Sequence, residues 1–324
     1  MLYNSTKLLL ANTMMIGVIM TICSNNWISM WMGLEMSLLS FIPFIQTSNT
    51  ISSESMIKYF IVQSVASTML LFSVVIMLVG VNMINEMIIT VSMLIKLGSA
   101  PFHNWVLLIV EKMNYLVMFI MFTILSMPPL SIMFQINSKM LIMPILLGMI
   151  MGSILCLNQS SIRKTLAFSS IYNMSLMLTS INSFNITFTY LMIYSISLLL
   201  LIKIIKPMKV NFINQMISNE YNPMLKINLW INMLSMGGFP PLMGFLGKML
   251  IIQYLLVNNE LLLVMILLIS SLLVMAFYTR MAFTSMITFS LFKKWDSMAN
   301  YMTFSIMTLN LTLTPLLISL TSIY

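Results

Sequence analysis

Charge is the scarcest thing in this sequence. Only 7% of its 324 residues are charged, against 60% hydrophobic, whereas a soluble domain carries about 25% charged side chains. Such a chain cannot cover itself with a solvated surface, which excludes a soluble globular fold and makes it an integral membrane protein. Period-two alternation is missing as well: "MIGVIMTIC", "LLFSVVIMLVG" and "LLLVMILLISSLLVMAF" are unbroken apolar runs. A barrel strand alternates over about ten positions, and a spanning helix needs about 20 apolar residues. The expected fold is therefore all-α and polytopic. Metal-ligating residues are equally few. With one histidine, His103, and two cysteines, Cys23 and Cys156, the chain alone cannot hold a bis-histidine haem or an iron–sulfur cluster. Any redox cofactor is expected in another subunit. No small-residue cleavage site follows the first apolar run, so that run is expected to be the first span.

What is present is hydrophobic length. Spans are expected at about 7–24, 26–46, 56–79, 87–110, 114–135, 140–157, 164–182, 187–206, 227–257, 261–284 and 302–322, about eleven in all. The ninth is too long for one straight helix and contains "GGFPPLMGFLGK", so it is expected to break or kink. Methionine is abundant at 39 residues; its flexible thioether fills irregular helix contacts, and nucleotide bias explains the excess equally well.

Loop charge tests this division. The N-terminus and every second loop would hold Lys7, Lys58, Lys112, Arg163, Lys164, Lys203, Lys206, Lys209, Lys226, Arg280, Lys293 and Lys294. The opposite side would hold Lys139 alone. That asymmetry is the positive-inside pattern, with the N-terminus on the positive side and, for an odd number of spans, the C-terminus away from it. The net charge of +8 is then topological and implies no nucleic-acid partner.

Three charges are left inside the membrane: Glu35 in span two, Lys96 in span four and Lys248 in span nine. A charge at the centre of a membrane helix costs roughly 2.5–3.5 kcal/mol on insertion scales, so each needs a partner or a wet cavity. Burial disfavours the charged form and an opposite charge favours it; a group held between the two exchanges protons, as a relay requires. Lysines near helix ends (Lys58, Lys112, Lys203 and Lys206) are expected to snorkel. Glu35 reads as a relay member or as a static ion pair, and His103 as a relay member or as a satisfied helix-end histidine.

Backbone breaks single out the two lysines. Lys96 is followed by "LGSAP" and Lys248 is preceded by "GGFPPLMGFLG". Non-helical backbone at membrane depth persists only where protein buries it or a wet cavity lines it. The broken spans are five apart, so the chain divides as one membrane domain over 1–324. It would contain a first inverted repeat over 1–135, a second over 140–285 and a C-terminal helix over 300–324. Interrupted helices in corresponding places of inverted repeats point to a midplane ion site.

Four blocks in order, "NWISMWMGLEMSLLSFIP", "LIKLGSAPFHNW", "LNQSSIRKTLAFSSI" and "LSMGGFPPLMGFLGKMLII", resemble subunit 2 of NADH dehydrogenase, the mitochondrially encoded antiporter-like family of respiratory complex I, in its insect form. Beyond about residue 260 the likeness is in hydropathy alone. The resemblance implies a proton-translocating subunit of NADH:ubiquinone oxidoreductase in the mitochondrial inner membrane, with the N-terminus in the matrix and the C-terminus toward the intermembrane space. FMN, iron–sulfur clusters and ubiquinone would belong to other subunits. The partners implied are the neighbouring antiporter-like and small membrane subunits. Phospholipids, cardiolipin among them, would suit the basic loop with Lys203, Lys206 and Lys209. The resemblance pairs Glu35 with Lys96 and places Lys248 on a hydrated axis with them. Two positions depart from the family. Ser126 stands where a lysine is usual and Asn173 where a histidine is usual, leaving hydroxyl or amide positions that bind water without storing a proton. The rival reading is a stand-alone cation/proton antiporter.

Overall fold

A computed structural model of the chain describes residues 5–46, 50–80, 82–136, 139–218 and 223–286, together with 308 and 310. The helices are α1 (Ser5–Cys23), α2 (Trp27–Ile45), α3 (Thr50–Val79), α4 (Asn82–Leu97), α5 (Asn104–Val110), α6 (Tyr115–Thr123), α7 (Met127–Ile136), α8 (Ile142–Leu157), α9 (Ile162–Thr179), α10 (Phe184–Met208), α11 (Ile213–Ser218), α12 (Pro223–Gly237), α13 (Met243–Val257) and α14 (Leu261–Met286). Among the described residues no strand occurs, only one antiparallel bridge between Ser161 and Phe212. Six segments are long and apolar enough to cross a membrane: Ser5–Cys23, Trp27–Ile45, Ser52–Met77, Tyr115–Ile136, Phe184–Met208 and Leu261–Met286. The chain is thus an all-helical, polytopic membrane protein. The expected span at 302–322 lies outside the described residues, 308 and 310 apart.

Two compact units divide the chain, Met1–Gly148 with Ile181–Phe184 and Met149–Ser180 with Asn185–Tyr324. In the first, α1 and α2 cross closely through small residues. A Cβ on Gly33 would stand 2.8 Å from the Gly17 carbonyl oxygen and 2.6 Å from a Thr21 methyl. In lipid no solvent-exclusion force drives helices together, so close backbone approach at small residues supplies the packing. This crossing fixes the helix that carries Glu35. Beyond it, α4 lies against α3 and α7, and Phe41, Tyr59 and Trp105 make edge-to-face and tilted ring contacts in series from α2 through α3 to α5.

The second unit is built around α9, buried from Thr165 to Thr179. An eighteen-residue helix with three serines, two threonines and an asparagine would suit lipid poorly, and here protein buries all but Arg163 and Lys164. Helix α12 packs on α13 and α14, and α13 also reaches α9.

Some boundaries differ from the sequence expectation, each for a local reason. The fifth span turns at residues 124–126, because Pro128 and Pro129 withhold two N–H donors at the start of α7. Helix α12 starts at Pro223, a residue preorganised for a first helical turn. Lys226, expected in a solvated loop, is therefore carried into the unit and is 3% exposed. Helix α3 starts before its expected span and carries Glu54 and Lys58. Lys58 and Lys112, expected to snorkel, both converge on Glu54, the former at 2.5 Å. Lys203 and Lys206 are exposed on the last turns of α10.

Candidate functional site

Both expected breaks form, and both close in the same way. At the end of α4, the Ser99 N–H donates to the Leu94 carbonyl (3.2 Å) and the Gly98 N–H to Ile95 (3.1 Å). At the end of α12, the Phe239 N–H donates to Leu234 (3.1 Å) and the Gly238 N–H to Ser235 (3.1 Å). This glycine-capped closure needs a left-handed residue just past the helix, and Gly98 (φ 65°) and Gly238 (φ 83°) supply it. Proline follows each, Pro101 after Gly98 and Pro240 after Gly238, so neither half-helix can run on. The Ala100–Pro101 peptide is cis.

The lysines reach these closures from opposite sides. Lys96 is the penultimate residue of α4, ahead of its break, and is 8% exposed. Lys248 lies in the second turn of α13, after its break, and is 6% exposed. Its ammonium donates to the Gly237 carbonyl at 2.7 Å and sits 5.7 Å from the centroid of the Tyr172 ring. A cation there meets the negative end of the α12 dipole and the face of an aromatic ring. The stem of Lys248 runs over Gly238, where a Cβ would stand 2.8 Å from Nζ.

Around Lys96, other elements add donors to the carbonyls at the end of α4. Gln63 on α3 donates its amide to the Lys96 carbonyl (3.3 Å), and the Trp105 indole donates to Ile95 (3.1 Å). The Lys96 ammonium itself makes no hydrogen bond to a protein group among the described residues. Glu35, on α2 and half-buried, is within electrostatic reach of it. No N–O contact within 4.0 Å joins the two, and one Glu35 oxygen is buried without a hydrogen bond. The pair is therefore a through-space one. His103 is buried at the N-terminal boundary of α5, five residues beyond Gly98. The Ser126 hydroxyl turns back on its own chain, to Thr123 (2.8 Å) and Phe122 (3.2 Å). Glu35, Lys96, His103 and Ser126 all lie in the first unit.

Asn173 and Lys248 lie in the second unit and line one small cavity of about 20 Å³ with Tyr190, Tyr194, Ser197 and Ser235. The Tyr190 hydroxyl donates to Asn173 Oδ1 at 2.8 Å. These tyrosines, Tyr172 and Gln63 are not among the site residues expected from the sequence. The four-residue spacing of Tyr190 and Tyr194 on an apolar helix was a legible signal.

Among the described residues no group of three His, Cys, Asp or Glu side chains could hold a metal, Cys23 is exposed and Cys156 buried.

Known proteins agree with this architecture. Residues 24–274 match the transmembrane NADH:quinone oxidoreductase/Mrp antiporter family. The chain is 35% identical over 280 residues to NADH-ubiquinone oxidoreductase chain 2 of Anopheles gambiae, covering 83% of this chain and 82% of that one. Its fold is similar to a chain of respiratory complex I from Thermus thermophilus, with TM-score 0.81 and 20% identity over 96% of this chain and 78% of that one. It is also similar to a chain of the Mrp complex from Dietzia sp. DQ12-45-1b, with TM-score 0.73 and 16% identity over 86% of this chain and 59% of that one. Broken helices with lysines at glycine-capped ends thus sit in a chain that belongs to the NADH:quinone oxidoreductase/Mrp antiporter family and, within it, to the NADH-ubiquinone oxidoreductase chain 2 proteins.

Proposed function

We propose that the chain is the antiporter-like, proton-translocating membrane subunit of NADH:ubiquinone oxidoreductase, in which Lys96 and Lys248 carry protons. The observation behind this reading is the pair of helix breaks, each closed by a left-handed glycine and each with a buried lysine at it. Such an ammonium is held by the carbonyl end of a half-helix or by a distant carboxylate, not by a tight ion pair. Redox chemistry in partner subunits, where FMN, iron–sulfur clusters and ubiquinone would reside, alters the field at Glu35 and Lys96. When Glu35 stabilises it less, Lys96 gives up its proton to water at the break. Lys248 accepts or releases a proton at the second break. His103, Ser126 and Asn173 serve as water-binding or relay positions. The two broken helices take corresponding places in inverted five-helix repeats, 1–135 and 140–285, of a chain with eleven spans including a C-terminal helix over 300–324. The membrane is the mitochondrial inner membrane, with the N-terminus and basic loops in the matrix and the C-terminus toward the intermembrane space. Neighbouring antiporter-like and small membrane subunits flank the chain, and phospholipid, including cardiolipin, binds at the basic loops.

The test is Lys96→Met and Lys248→Met in the whole complex reconstituted in liposomes, with proton-to-electron ratio measured beside NADH oxidation. A lower ratio in either variant supports the reading, and ordinary ratios in both overturn it. Membership of a family that includes antiporters as well as NADH:quinone oxidoreductases leaves a second reading, a stand-alone cation/proton antiporter. Native electrophoresis of source membranes with an NADH-oxidation stain and mass spectrometry separates the two. The chain in the large NADH-oxidising band supports the first reading; migration alone or as a small oligomer supports the second.

A further inference from the structure

Helix α10 is polar along one half of a buried face and apolar along the other. Thr187, Tyr190, Tyr194 and Ser197 recur at helical spacing, and all are at most 5% exposed. The same face continues as Leu201, Ile204, Ile205 and Met208, also buried. The polar half covers about 15 Å at 1.5 Å per residue, about half the hydrocarbon thickness. It begins at the end of α10 remote from Lys203, Lys206 and Lys209. The apolar half ends beside those lysines.

Tyr194 stands where this line meets the Lys248 cavity. It is 4% exposed and lines the cavity, yet its hydroxyl makes no hydrogen bond to a protein group among the described residues. The Asn173 amide is within interaction range of that hydroxyl without reaching hydrogen-bond geometry. Tyr190, one turn away, has committed its hydrogen to Asn173 and offers the cavity only an oxygen lone pair. The cavity's 20 Å³ is enough for one water, which needs two to four polar partners. Lys248, Tyr190, Tyr194, Ser197 and Ser235 offer that many.

We propose that Tyr194 is the hydroxyl through which protons pass between Lys248 and the membrane face opposite the basic loops, with the Tyr190–Asn173 hydrogen bond fixing the water between them. Water in the cavity takes a proton from the Lys248 ammonium and delivers one to the Tyr194 oxygen. Tyr194 releases its own hydroxyl proton to water on the outward side, so the phenol ends as it began. Toward the basic loops, Leu201, Ile204 and Ile205 offer no such partner, and α10 is closed to protons there. The inference rests on the reading of Lys248 as a proton carrier.

Tyr194→Phe keeps the ring and removes the hydroxyl. In the whole complex in liposomes it should lower the proton-to-electron ratio, as Lys248→Met does. A lowered ratio in Lys248→Met with an ordinary one in Tyr194→Phe overturns this inference and leaves the function proposed above intact. An ordinary ratio in Lys248→Met overturns the carrier role of Lys248 and this inference with it. Filling the cavity decides independently, including where Tyr194→Phe fails to assemble. Ser197→Val occupies the one-water cavity from α10 and leaves the Tyr194 ring in place, so it should also lower the ratio. Leu201→Val, about one turn further along, should leave it ordinary. An ordinary ratio in Ser197→Val, or an equal fall in Leu201→Val, overturns the proposal.

Discussion

The ammonium of Lys248 donates to the carbonyl oxygen of Gly237 at 2.7 Å, across the break that separates their two half-helices. One buried cation thereby caps the helix before it while belonging to the helix after it. The next residue, Gly238, lies under the stem of that lysine.

Gly238→Ala should therefore do two things at once. A left-handed backbone costs a residue with a Cβ roughly 1–2 kcal/mol, and the added carbon meets Lys248 Nζ at 2.8 Å. Less assembled complex and a lower proton-to-electron ratio in what assembles are the expected outcomes. Gly80→Ala is the control, since Gly80 also has a left-handed φ, 95°, but open space around it. Native electrophoresis and proton uptake should show the ratio unchanged there.

Gly33→Leu should separate α1 from α2, because even a Cβ there overlaps the Gly17 carbonyl and Thr21. Incorporation into the complex should fall sharply, as judged by quantitative native electrophoresis. Leu39→Ala on the same helix, at a position 59% exposed, should leave incorporation unchanged.

Gln63→Leu removes the donor to the Lys96 carbonyl and leaves a buried acceptor unsatisfied, at a cost of about 1–3 kcal/mol. The expected result is faster amide hydrogen exchange at Gly98 and Ser99, whose N–H groups close the α4 end. Exchange across α9, in the other unit, should be unaltered.

Glu54→Gln removes the carboxylate on which Lys58 and Lys112 converge. The site is half-exposed and screened by salt. Assembly and proton-to-electron ratio should match the native complex, with any difference at low ionic strength vanishing as salt is raised.

Much of the site was legible because its signals are local. A lysine beside Gly-Ser-Ala-Pro, and another beyond Gly-Gly-Phe-Pro-Pro, announce breaks through residues that cannot continue a helix, and both breaks formed where those residues stand. What the sequence does not announce is facing. Apolar helices carry no polar side to mark which surface meets which neighbour. The reach of Gln63 across 33 residues to Lys96, and the bond of Tyr190 to Asn173 between successive helices, could not be read in advance. The same holds for Lys226, whose burial follows from α12 starting at Pro223. Ser126 stands where the resemblance leads one to expect a lysine, and its hydroxyl hydrogen is committed to its own turn, which leaves its oxygen lone pairs for water.

Helix α9 bears on how the molecule is made. Each of its five serine and threonine hydroxyls, on Thr165, Ser169, Ser170, Ser175 and Thr179, bonds a carbonyl three residues back in the same helix. During synthesis the helix can therefore leave the insertion machinery with these groups already satisfied, before any neighbour exists. Asn173 is different, because its partner is Tyr190 on the helix translated next. Completion of α10 is thus the moment at which that amide acquires its hydrogen bond, and the two helices gain by entering the bilayer as a pair.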